Sequence, residues 1–351
     1  MPQQVIFTNE VEQAINQAIN SHGRGKVAVI VDHNTRRHVL PQLQVLNEAL
    51  VIEIPCGDEH KSLDTLSLVW TQLSNAGITR GSVIVNLGGG VITDLGGLAA
   101  STFKRGVPFI NVPTTLLGAV DAAVGGKTGI NFNGLKNEIG CFAEASHVIV
   151  STRFFNTLPR REVMSGYAEM LKHALLTSEA HFGSLLHFDP TCANGNNDLL
   201  QLLKQSVQVK MHIVAIDPHE KGPRRALNLG HTVGHAFESM AMHAGHAMPH
   251  GYAVAWGLVA EMVLSHMLLQ FPSQQLHNLA TYVLAHYQHP FSFTCDDYNA
   301  LLMLMRHDKK SKHGEINCTL LGSCGNYVID NTIKDDDMKT ALDIFRDLMH
   351  M

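Results

Sequence analysis

The chain has 351 residues, of which 45% are hydrophobic and 6% aromatic, and its formal net charge is −5. This length favours two domains, because a single hydrophobic core usually stops growing near about 250–300 residues. No block of lysine and arginine is long enough to indicate a nucleic-acid surface, and the low aromatic content disfavours binding by base stacking.

The cysteines and the amino terminus indicate a cytoplasmic protein. Six scattered cysteines without a C-x-x-C pair predict reduced thiols and not a disulfide framework. The first residues, MPQQVIFTNEVEQ, have neither the basic flank nor the apolar run of a signal peptide. We also expect no membrane span, since no run reaches about 18 consecutive apolar residues.

The first part of the chain alternates short apolar runs with helical patterns, which predicts a Rossmann-like, doubly wound parallel sheet. We assign it to residues 1–158 as an NAD-binding α/β domain. Ligands of such sheets bind just past the carboxyl ends of the strands, here residues 32–34, 57–61, 88–94 and 113–115. The predicted strands are residues 26–31, 51–55, 82–87, 109–112 and 147–150, and the predicted helices are residues 39–48, 64–75 and 95–102.

The pattern changes after about residue 159 and becomes mostly helical. We therefore predict an α-helical, metal- and substrate-binding domain over residues 159–351. Its predicted helices are residues 161–187, 198–213, 232–243, 252–270 and 273–288.

A run of three glycines, Gly88, Gly89 and Gly90, follows a predicted strand and precedes a predicted helix. Backbone amides at a helix N-terminus bind pyrophosphate well, but the spacing is not G-x-G-x-x-G. A cofactor loop and a plain tight turn therefore fit the run about equally. Asp32, at the end of the first predicted strand, likewise fits a ribose ligand and a helix cap.

Two histidines, His231 and His235, lie four residues apart in HTVGH and share one helix face. Zinc helices use this spacing, although the glutamate of H-E-x-x-H is missing here. A catalytic zinc needs three protein ligands, and His250 and Glu169 are the best residues to complete the set. Glu169 and Lys172 also share a helix face, so a surface ion pair is the alternative interpretation of that pair.

The charge-rich stretch DPHEKGPRR leads directly into LNLGH. Such a stretch is usually a solvated loop, but its position also fits an anion pocket that includes Lys210, Arg224 and Asn228. Residues 307–310, HDKK, read by themselves as a surface turn. From the residues alone, the chain is an enzyme that uses NAD and a metal ion on a phosphorylated polyol.

Motifs along nearly the whole chain resemble the 3-dehydroquinate synthases, a branch of the sugar-phosphate cyclases. The resemblance covers residues 27–322 and rests on the number and order of the motifs. It implies conversion of 3-deoxy-D-arabino-heptulosonate 7-phosphate to 3-dehydroquinate and phosphate, with catalytic NAD and Zn²⁺ or Co²⁺. The motifs are GDEHKS, NLGGGVITDLGG, FKRGVPFINVPTTLLGAVDAAVGGKTGIN, LKNEIG, LPRREVMSGYAEMLKH, RALNLGHTVGHAFE, PHG and DKK.

The resemblance also implies a role for individual residues. Its metal ligands are Glu169, His231 and His250. Its NAD-binding positions are Asp32, Asp58, Lys61, Gly89, Gly90, Asp94, Thr114, Thr115 and Lys136. Its substrate and catalytic positions are Asp121, Lys127, Asn137, Lys172, Lys210, Arg224, Asn228, His235 and Lys309. Arg105 matches an arginine that reaches the neighbouring subunit's site, which implies a homodimer.

Two positions depart from the family pattern. Tyr252 stands directly after His-Gly, where the family often has glutamate, and we expect a packing change without loss of metal. The family often has Gly-Glu three residues before Lys61, where this chain has Asp58 followed by Glu59, so either carboxylate suits the ribose.

Three other functions compete with this interpretation. Another sugar-phosphate cyclase would share the cofactor and metal chemistry, but Lys210 and Arg224 suit a carboxylate that other sugar phosphates lack. A metal-containing alcohol dehydrogenase would release NADH. A regulatory protein that binds zinc or a nucleotide would have no use for the anion-binding side chains of Lys127, Asn137, Lys210 and Arg224.

Overall fold

The computed structural model describes residues 3–23, 25–192, 197–246, 248–288, 292–306 and 314–351. The chain divides into two compact units. Unit 1 comprises Met1–Pro159 and Cys192–Val207, and unit 2 comprises Arg160–Thr191 and Gln208–Met351. Helix α7 (Asn197–Ile216) contributes to both units.

Unit 1 is built on a six-stranded sheet with the strand order β1-β8-β5-β4-β2-β3, and every pairing in it is parallel. The chain leaves β2 in one direction to reach β3 and returns to pair β4 on the other side of β2. Ligands of open parallel sheets bind at such a switch point. The predicted doubly wound parallel sheet is confirmed. Its strands are β1 (Gln4–Phe7), β2 (Val27–Asp32), β3 (Leu50–Ile54), β4 (Val83–Gly88), β5 (Phe109–Pro113) and β8 (His147–Val150).

Up to Pro159, the described part of unit 1 also contains four α-helices and a β-hairpin. All of β4 and β5 is buried, which explains why these strands read as continuous apolar runs. The helices are α1 (Val11–Asn20), α2 (His33–His38), α3 (Leu63–Asn75) and α4 (Gly90–Thr102), and the hairpin strands are β6 (Lys127–Phe132) and β7 (Leu135–Phe142).

Several features of unit 1 differ from the sequence prediction. The helix predicted over residues 39–48 is wrong: Pro41 lies in the first of two separate 3-10 turns there. The prediction also missed β1, α1, α2 and the hairpin. β1 is an edge strand of four residues, so its apolar run is short, and β7 is exposed at nearly every position and shows no apolar run.

Unit 2 is mainly helical, as predicted, and carries one antiparallel strand pair, β9 (Ile316–Ser323) and β10 (Asn326–Ile333), that the prediction missed. The single helix predicted over residues 161–187 is two helices, because Ser178 caps the second one through the N–H of His181. The helices are α5 (Arg160–Leu175), α6 (Glu179–Leu186), α8 (His231–His243), α9 (His250–Leu269), α10 (Ser273–His286), α11 (Tyr298–Arg306) and α12 (Asp335–Leu348).

Helix α9 is the core helix of unit 2. Every residue from position 251 to position 265 is buried, and α5, α8, α10, α12 and β9 all pack against it. Its length and composition would let it cross a membrane, but 72% of its most apolar window is buried inside the protein. Burial of this kind is typical of the central helix of a folded domain. Glu261 lies within this apolar run and is fully buried.

Candidate functional site

Three helices of unit 2 bring Glu169, His231 and His250 together. Glu169 lies in the middle of α5, and the two histidines begin α8 and α9. The Oε1 atom of Glu169 is 3.4 Å from Nε2 of His231 and 3.5 Å from Nε2 of His250. Donor atoms about 2.1 Å from a tetrahedral metal are separated from one another by roughly 3.4 Å. The spacing therefore fits a divalent metal held by these three side chains.

Both histidine rings are oriented by their other nitrogen. Nδ1 of His231 is 3.0 Å from the carbonyl oxygen of Leu229, and Nδ1 of His250 is 3.4 Å from Oε2 of Glu238. Such partners place the proton on Nδ1 and leave Nε2 as the donor atom for a metal. The sequence analysis gave Glu238 no role. Its position two helical turns after His231 was the available signal, because it places both side chains on one face of α8.

The carboxylate of Glu169 is fully buried and forms an ion pair with Lys172, which is also buried. Burial by itself would raise the pKa of Glu169, but the charges of Lys172 and His231 and the hydrogen bonds from His231 and His250 hold it well below its usual range. The carboxylate thus faces Lys172 and the Nε2 atoms of both histidines. A buried anion in this state suits a bound cation.

The third histidine, His235, lies beside the other two. The possible donor atoms of His231, His235 and His250 all lie within 4.8 Å of one another. Burial by itself would lower the pKa of His250. Its hydrogen bonds to Glu169 and Glu238 and the charges of both carboxylates outweigh this effect and raise the pKa to about 9. Of the two sets, Glu169, His231 and His250 suit a metal better, because Glu169 is the buried anion that faces both Nε2 atoms.

A tight loop after α7 presents the predicted anion-binding residues of unit 2. The carboxylate of Asp217 accepts the backbone N–H groups of Lys221, Gly222 and Arg224 at 3.0, 2.6 and 3.2 Å. Burial raises the pKa of Asp217, but these three donors and the charge of Arg224 lower it below its usual range. The ionised carboxylate thus organises the loop, a role that the sequence analysis missed.

Of the two side chains predicted to bind the substrate carboxylate, Arg224 lies in this loop and Lys210 lies on the preceding helix α7. Lys210 and Arg224 are buried, and Nη1 of Arg224 donates to the carbonyl oxygen of Pro218 at 2.6 Å. Asn228 donates to Oε1 of Glu220 at 3.2 Å. The stretch for which a solvated loop and an anion pocket were the two predictions is a turn that buries Arg224, which suits the binding of an anion.

In unit 1, the glycine run connects β4 to α4 at the carboxyl edge of the sheet. Gly89 precedes α4 without a capping side chain, and Gly90 begins the helix. A Cβ atom on Gly88 would lie 2.3 Å from Ile92, so the backbone there needs glycine. Thr114 and Thr115 follow the adjacent strand β5. These residues form an open helix N-terminus suited to a phosphate group.

A second group of predicted cofactor residues meets around Lys61. Its ammonium group is buried, lies 2.5 Å from Oδ2 of Asp94 and also donates to Oδ1 of Asn137. Asp94 is on α4, one turn after Gly90. The structure therefore joins the Lys61 group to the glycine loop through the first turn of α4.

Asn131, which the sequence analysis missed, ties this group to the turn after β3. It donates to the carbonyl oxygen of Asp58 at 2.8 Å and accepts from the N–H of Asn137 at 3.0 Å. The exposed Lys136 lies 3.6 Å from Asp58. Asp58 is thus fixed within the group, whereas Glu59 is exposed.

Two further predicted residues of unit 1 have distinct settings. Asp32 accepts the N–H of Thr35 at 2.7 Å in a capping box, so it caps α2, as one of the two predictions for it had it. Its contact with a ribose stays a prediction. Asp121 lies in a π-helical turn, Gly118–Ala122, a conformation often found at functional sites. Buried Asn111 donates to the carbonyl of Ala123 at 3.2 Å and so holds the end of that turn.

Of the three remaining predicted residues, two are exposed and one lies outside the described part of the chain. Lys127 begins β6, four residues before Asn131, and its side chain is exposed. Arg105 is exposed in a 3-10 turn and has a left-handed backbone, with φ of 65°. Lys309 lies outside the described residues, so its phosphate-binding role stays a prediction.

Comparison with known proteins agrees with the motif order. Residues 51–165 match the family model described as "3-dehydroquinate synthase N-terminal", and residues 166–311 match "3-dehydroquinate synthase C-terminal". A curated 3-dehydroquinate synthase of Parabacteroides distasonis is 43% identical over 348 residues, covering 98% of each chain.

Solved structures of lower identity share the fold. One is described as a 2-epi-5-epi-valiolone synthase from Streptomyces hygroscopicus with bound NAD⁺ and Zn²⁺; it has a TM-score of 0.82 at 23% identity and covers 99% of this chain and 97% of its own. Another is a 2-deoxy-scyllo-inosose synthase complexed with carbaglucose-6-phosphate, NAD⁺ and Co²⁺, with a TM-score of 0.80 at 22% identity and coverage of 96% and 95%. On the two family matches and the full-length relative, the chain belongs to the 3-dehydroquinate synthase family.

Proposed function

We propose that the chain converts 3-deoxy-D-arabino-heptulosonate 7-phosphate to 3-dehydroquinate and phosphate, with catalytic NAD and a divalent metal, zinc in the first instance. The observation that carries the proposal is the spacing of Glu169, His231 and His250, which suits a tetrahedral metal in a chain of this family. The conversion breaks the C–O bond to phosphate and forms a ring C–C bond without net oxidation. Because substrate and products have the same overall oxidation state, NAD must be regenerated in each turnover.

Each unit supplies a separate part of the chemistry. When bound, NAD supplies a hydride acceptor and donor for the substrate's secondary alcohol, and a divalent metal lowers that alcohol's pKa as a Lewis acid. The chain's own residues bind, orient and transfer protons. The glycine loop and the Lys61 group hold the cofactor, and Glu169, His231 and His250 hold the metal.

Substrate groups are assigned to the polar side chains by charge. Lys127, Asn137 and Lys309 hold the phosphate, and Lys210 and Arg224 hold the carboxylate, with Asn228 beside them. His235, next to the two histidine ligands, moves protons at the substrate. Asp121 and Lys172 orient the reacting carbon atoms.

The experiment that tests the proposal measures phosphate release by the metal-replete protein with NAD, in the presence and absence of a chelator. We expect release from the heptulosonate phosphate that stops on chelation and returns when Zn²⁺ is restored. A sugar phosphate without a carboxylate should be a poor substrate, because Lys210 and Arg224 would lack a partner. Equal turnover of that sugar would instead favour another sugar-phosphate cyclase.

We also propose that the chain forms a homodimer, in which Arg105 reaches the partner's substrate. Its exposed position on a turn with left-handed backbone supports this role. All six cysteines lie in the described part of the chain and none forms a disulfide, which supports a cytoplasmic location.

Replacing Lys61 with methionine is expected to weaken NAD binding by about 10- to 100-fold. The change removes the buried charge that holds the side chains of Asp94 and Asn137 in place. The loss of one charge-assisted hydrogen bond to the cofactor, worth about 1.5–3 kcal/mol, corresponds to this range. Titration with NAD measures the effect. Lys26→Met is the matched control, because Lys26 bonds the carbonyl oxygen of Ala76 at the opposite, amino-terminal end of β2. Equal NAD affinity in both variants would contradict the assignment of Lys61.

Replacing Asp217 with asparagine is expected to raise KM for the substrate by about tenfold with little change in NAD affinity. Asparagine keeps the shape but loses the charge that gathers three backbone donors, so the loop that carries Arg224 loosens. Asp330→Asn is the control, since it removes an ion pair from the neighbouring Arg225. A KM unchanged in D217N, or raised equally in both, would refute the role of Asp217.

A further inference from the structure

Two buried polar side chains of unit 2, Ser165 on α5 and Glu261 on α9, have no part in the proposed chemistry. Ser165 is 2% exposed and Glu261 is fully buried in the most apolar helix of the chain. A buried carboxylate is costly unless hydrogen bonds compensate its charge. The partners of these two side chains therefore show what they do.

Glu261 caps the helix that carries His231. Its Oε2 accepts the N–H of Gly230 at 2.6 Å, and its Oε1 accepts the N–H of Val233 at 3.2 Å. These N–H groups belong to the first turn of α8, where no carbonyl of the helix can accept them. A capping side chain normally comes from the N-cap residue, but that residue here is glycine. A carboxylate of α9 takes its place and also matches the positive end of the α8 dipole.

Ser165 has the same relation to the helix that carries His250. Its Oγ accepts the N–H of Gly251 at 3.1 Å. The N-cap residue of α9 is Pro249, which has no side-chain acceptor. Ser165 lies one turn before Glu169 on the same face of α5, so the bond joins the helix of one metal ligand to the first turn of another.

Close backbone contacts fix the same two junctions. A Cβ atom on Gly251 would lie 1.8 Å from the carbonyl oxygen of Ser165. One on Gly257 would lie 2.0 Å from the carbonyl oxygen of Gly230 and 2.6 Å from the N–H nitrogen of Gly234. The helices thus touch backbone to backbone beside each cap, which leaves little freedom for them to slide.

We infer that Ser165 and Glu261 are positioning residues of the metal site, which set the separation of Glu169, His231 and His250 by capping one ligand helix from another. The chain of caps runs from α5 to α9 and from α9 to α8. Each cap ends within two residues of a histidine ligand, at Gly251 beside His250 and at Gly230 and Val233 beside His231. The inference rests on the proposed metal site.

The test measures Co²⁺ binding by competition with a chelating dye, together with the absorption spectrum of the bound Co²⁺, in three variants. Ser165→Ala and Ser265→Ala are a matched pair. Each leaves one buried N–H without its acceptor, that of Gly251 or that of Leu321. Ser265 also donates to the backbone carbonyl of Glu261 one turn earlier on α9, but it contacts neither start of a ligand helix. Glu261→Gln keeps the shape of the side chain and turns an N–H₂ group toward one of the two backbone donors.

We expect Co²⁺ to bind about 10-fold more weakly to S165A and about 10- to 100-fold more weakly to E261Q, with altered spectra, as for other groups that orient metal ligands. S265A should bind Co²⁺ within about twofold of the wild type. Wild-type affinity and spectrum in both S165A and E261Q would overturn the inference, and so would an equal loss in S265A. If E261Q does not fold, the S165A and S265A pair still decides. A wild-type protein that binds no Co²⁺ would contradict the proposed metal site itself.

Discussion

Replacing His231 with alanine should abolish activity and weaken zinc binding by roughly 10²- to 10³-fold. A zinc-binding free energy of about 10–16 kcal/mol shared among four ligand positions gives this range, at about 1.4 kcal/mol for each factor of ten. The backbone carbonyl oxygen of Leu229 cannot replace the lost ligand atom, because it contacts Nδ1 of His231, on the opposite side of the ring from Nε2. Zinc content after dialysis and phosphate release measure the two effects on the same sample.

The matched control is His243→Ala. His243 is the last residue of the same helix and is exposed, so its removal should leave zinc content and turnover at the wild-type level. An H231A protein that retained zinc and full activity would refute the ligand assignment. Zinc loss in both variants would instead point to a general effect on α8.

Replacing Glu169 with glutamine should destabilise the protein by about 3–5 kcal/mol and remove tight metal binding. Lys172 is buried, and the neutral glutamine would leave its charge without the carboxylate that now pairs with it. Breaking a buried ion pair from one side typically costs this much. Urea unfolding of the metal-free protein measures the stability change without a contribution from bound metal.

A double variant separates the two consequences. Glu169→Gln combined with Lys172→Met removes the uncompensated charge, so most of the lost stability should return. Metal binding should not return, because the carboxylate ligand is still missing. If the double variant were as unstable as E169Q, the ion pair would not be the cause of the loss. If E169Q bound zinc tightly, Glu169 would not be a ligand.

The sequence predicted the sheet of unit 1 well, because strands buried on both faces leave an unmistakable apolar run. Residues 82–87 and 109–112 were assigned to within about a residue of β4 and β5. The β6–β7 hairpin carries no such run and was missed, because β7 is exposed at nearly every position and β6 has two separated apolar side chains, Ile130 and Phe132. The break between α5 and α6 depends on a cap at Ser178, a local signal that an apolar pattern over residues 161–187 conceals.

For the site, spacing paired His231 with His235 and offered His250 and Glu169 as the best residues to complete the set. Distance and burial, two properties that no local pattern contains, favour Glu169, His231 and His250 together and place His235 beside them. The structure also reveals Glu238, which orients the ring of His250, and Asp217, which orders the loop that carries Arg224. Predicting such partners requires the packing of the helices and turns, and that packing is set by the whole chain.

The central claim is that NAD is used catalytically in a reaction without net oxidation. The most direct measurement loads the metal-replete protein with one equivalent of NAD, removes unbound cofactor, adds excess heptulosonate phosphate, and follows phosphate and NADH together. The account predicts many phosphate ions released per NAD, no accumulation of NADH, and arrest by a chelator. NADH formed in step with turnover, or no more than one phosphate per NAD, would contradict it and favour a dehydrogenase.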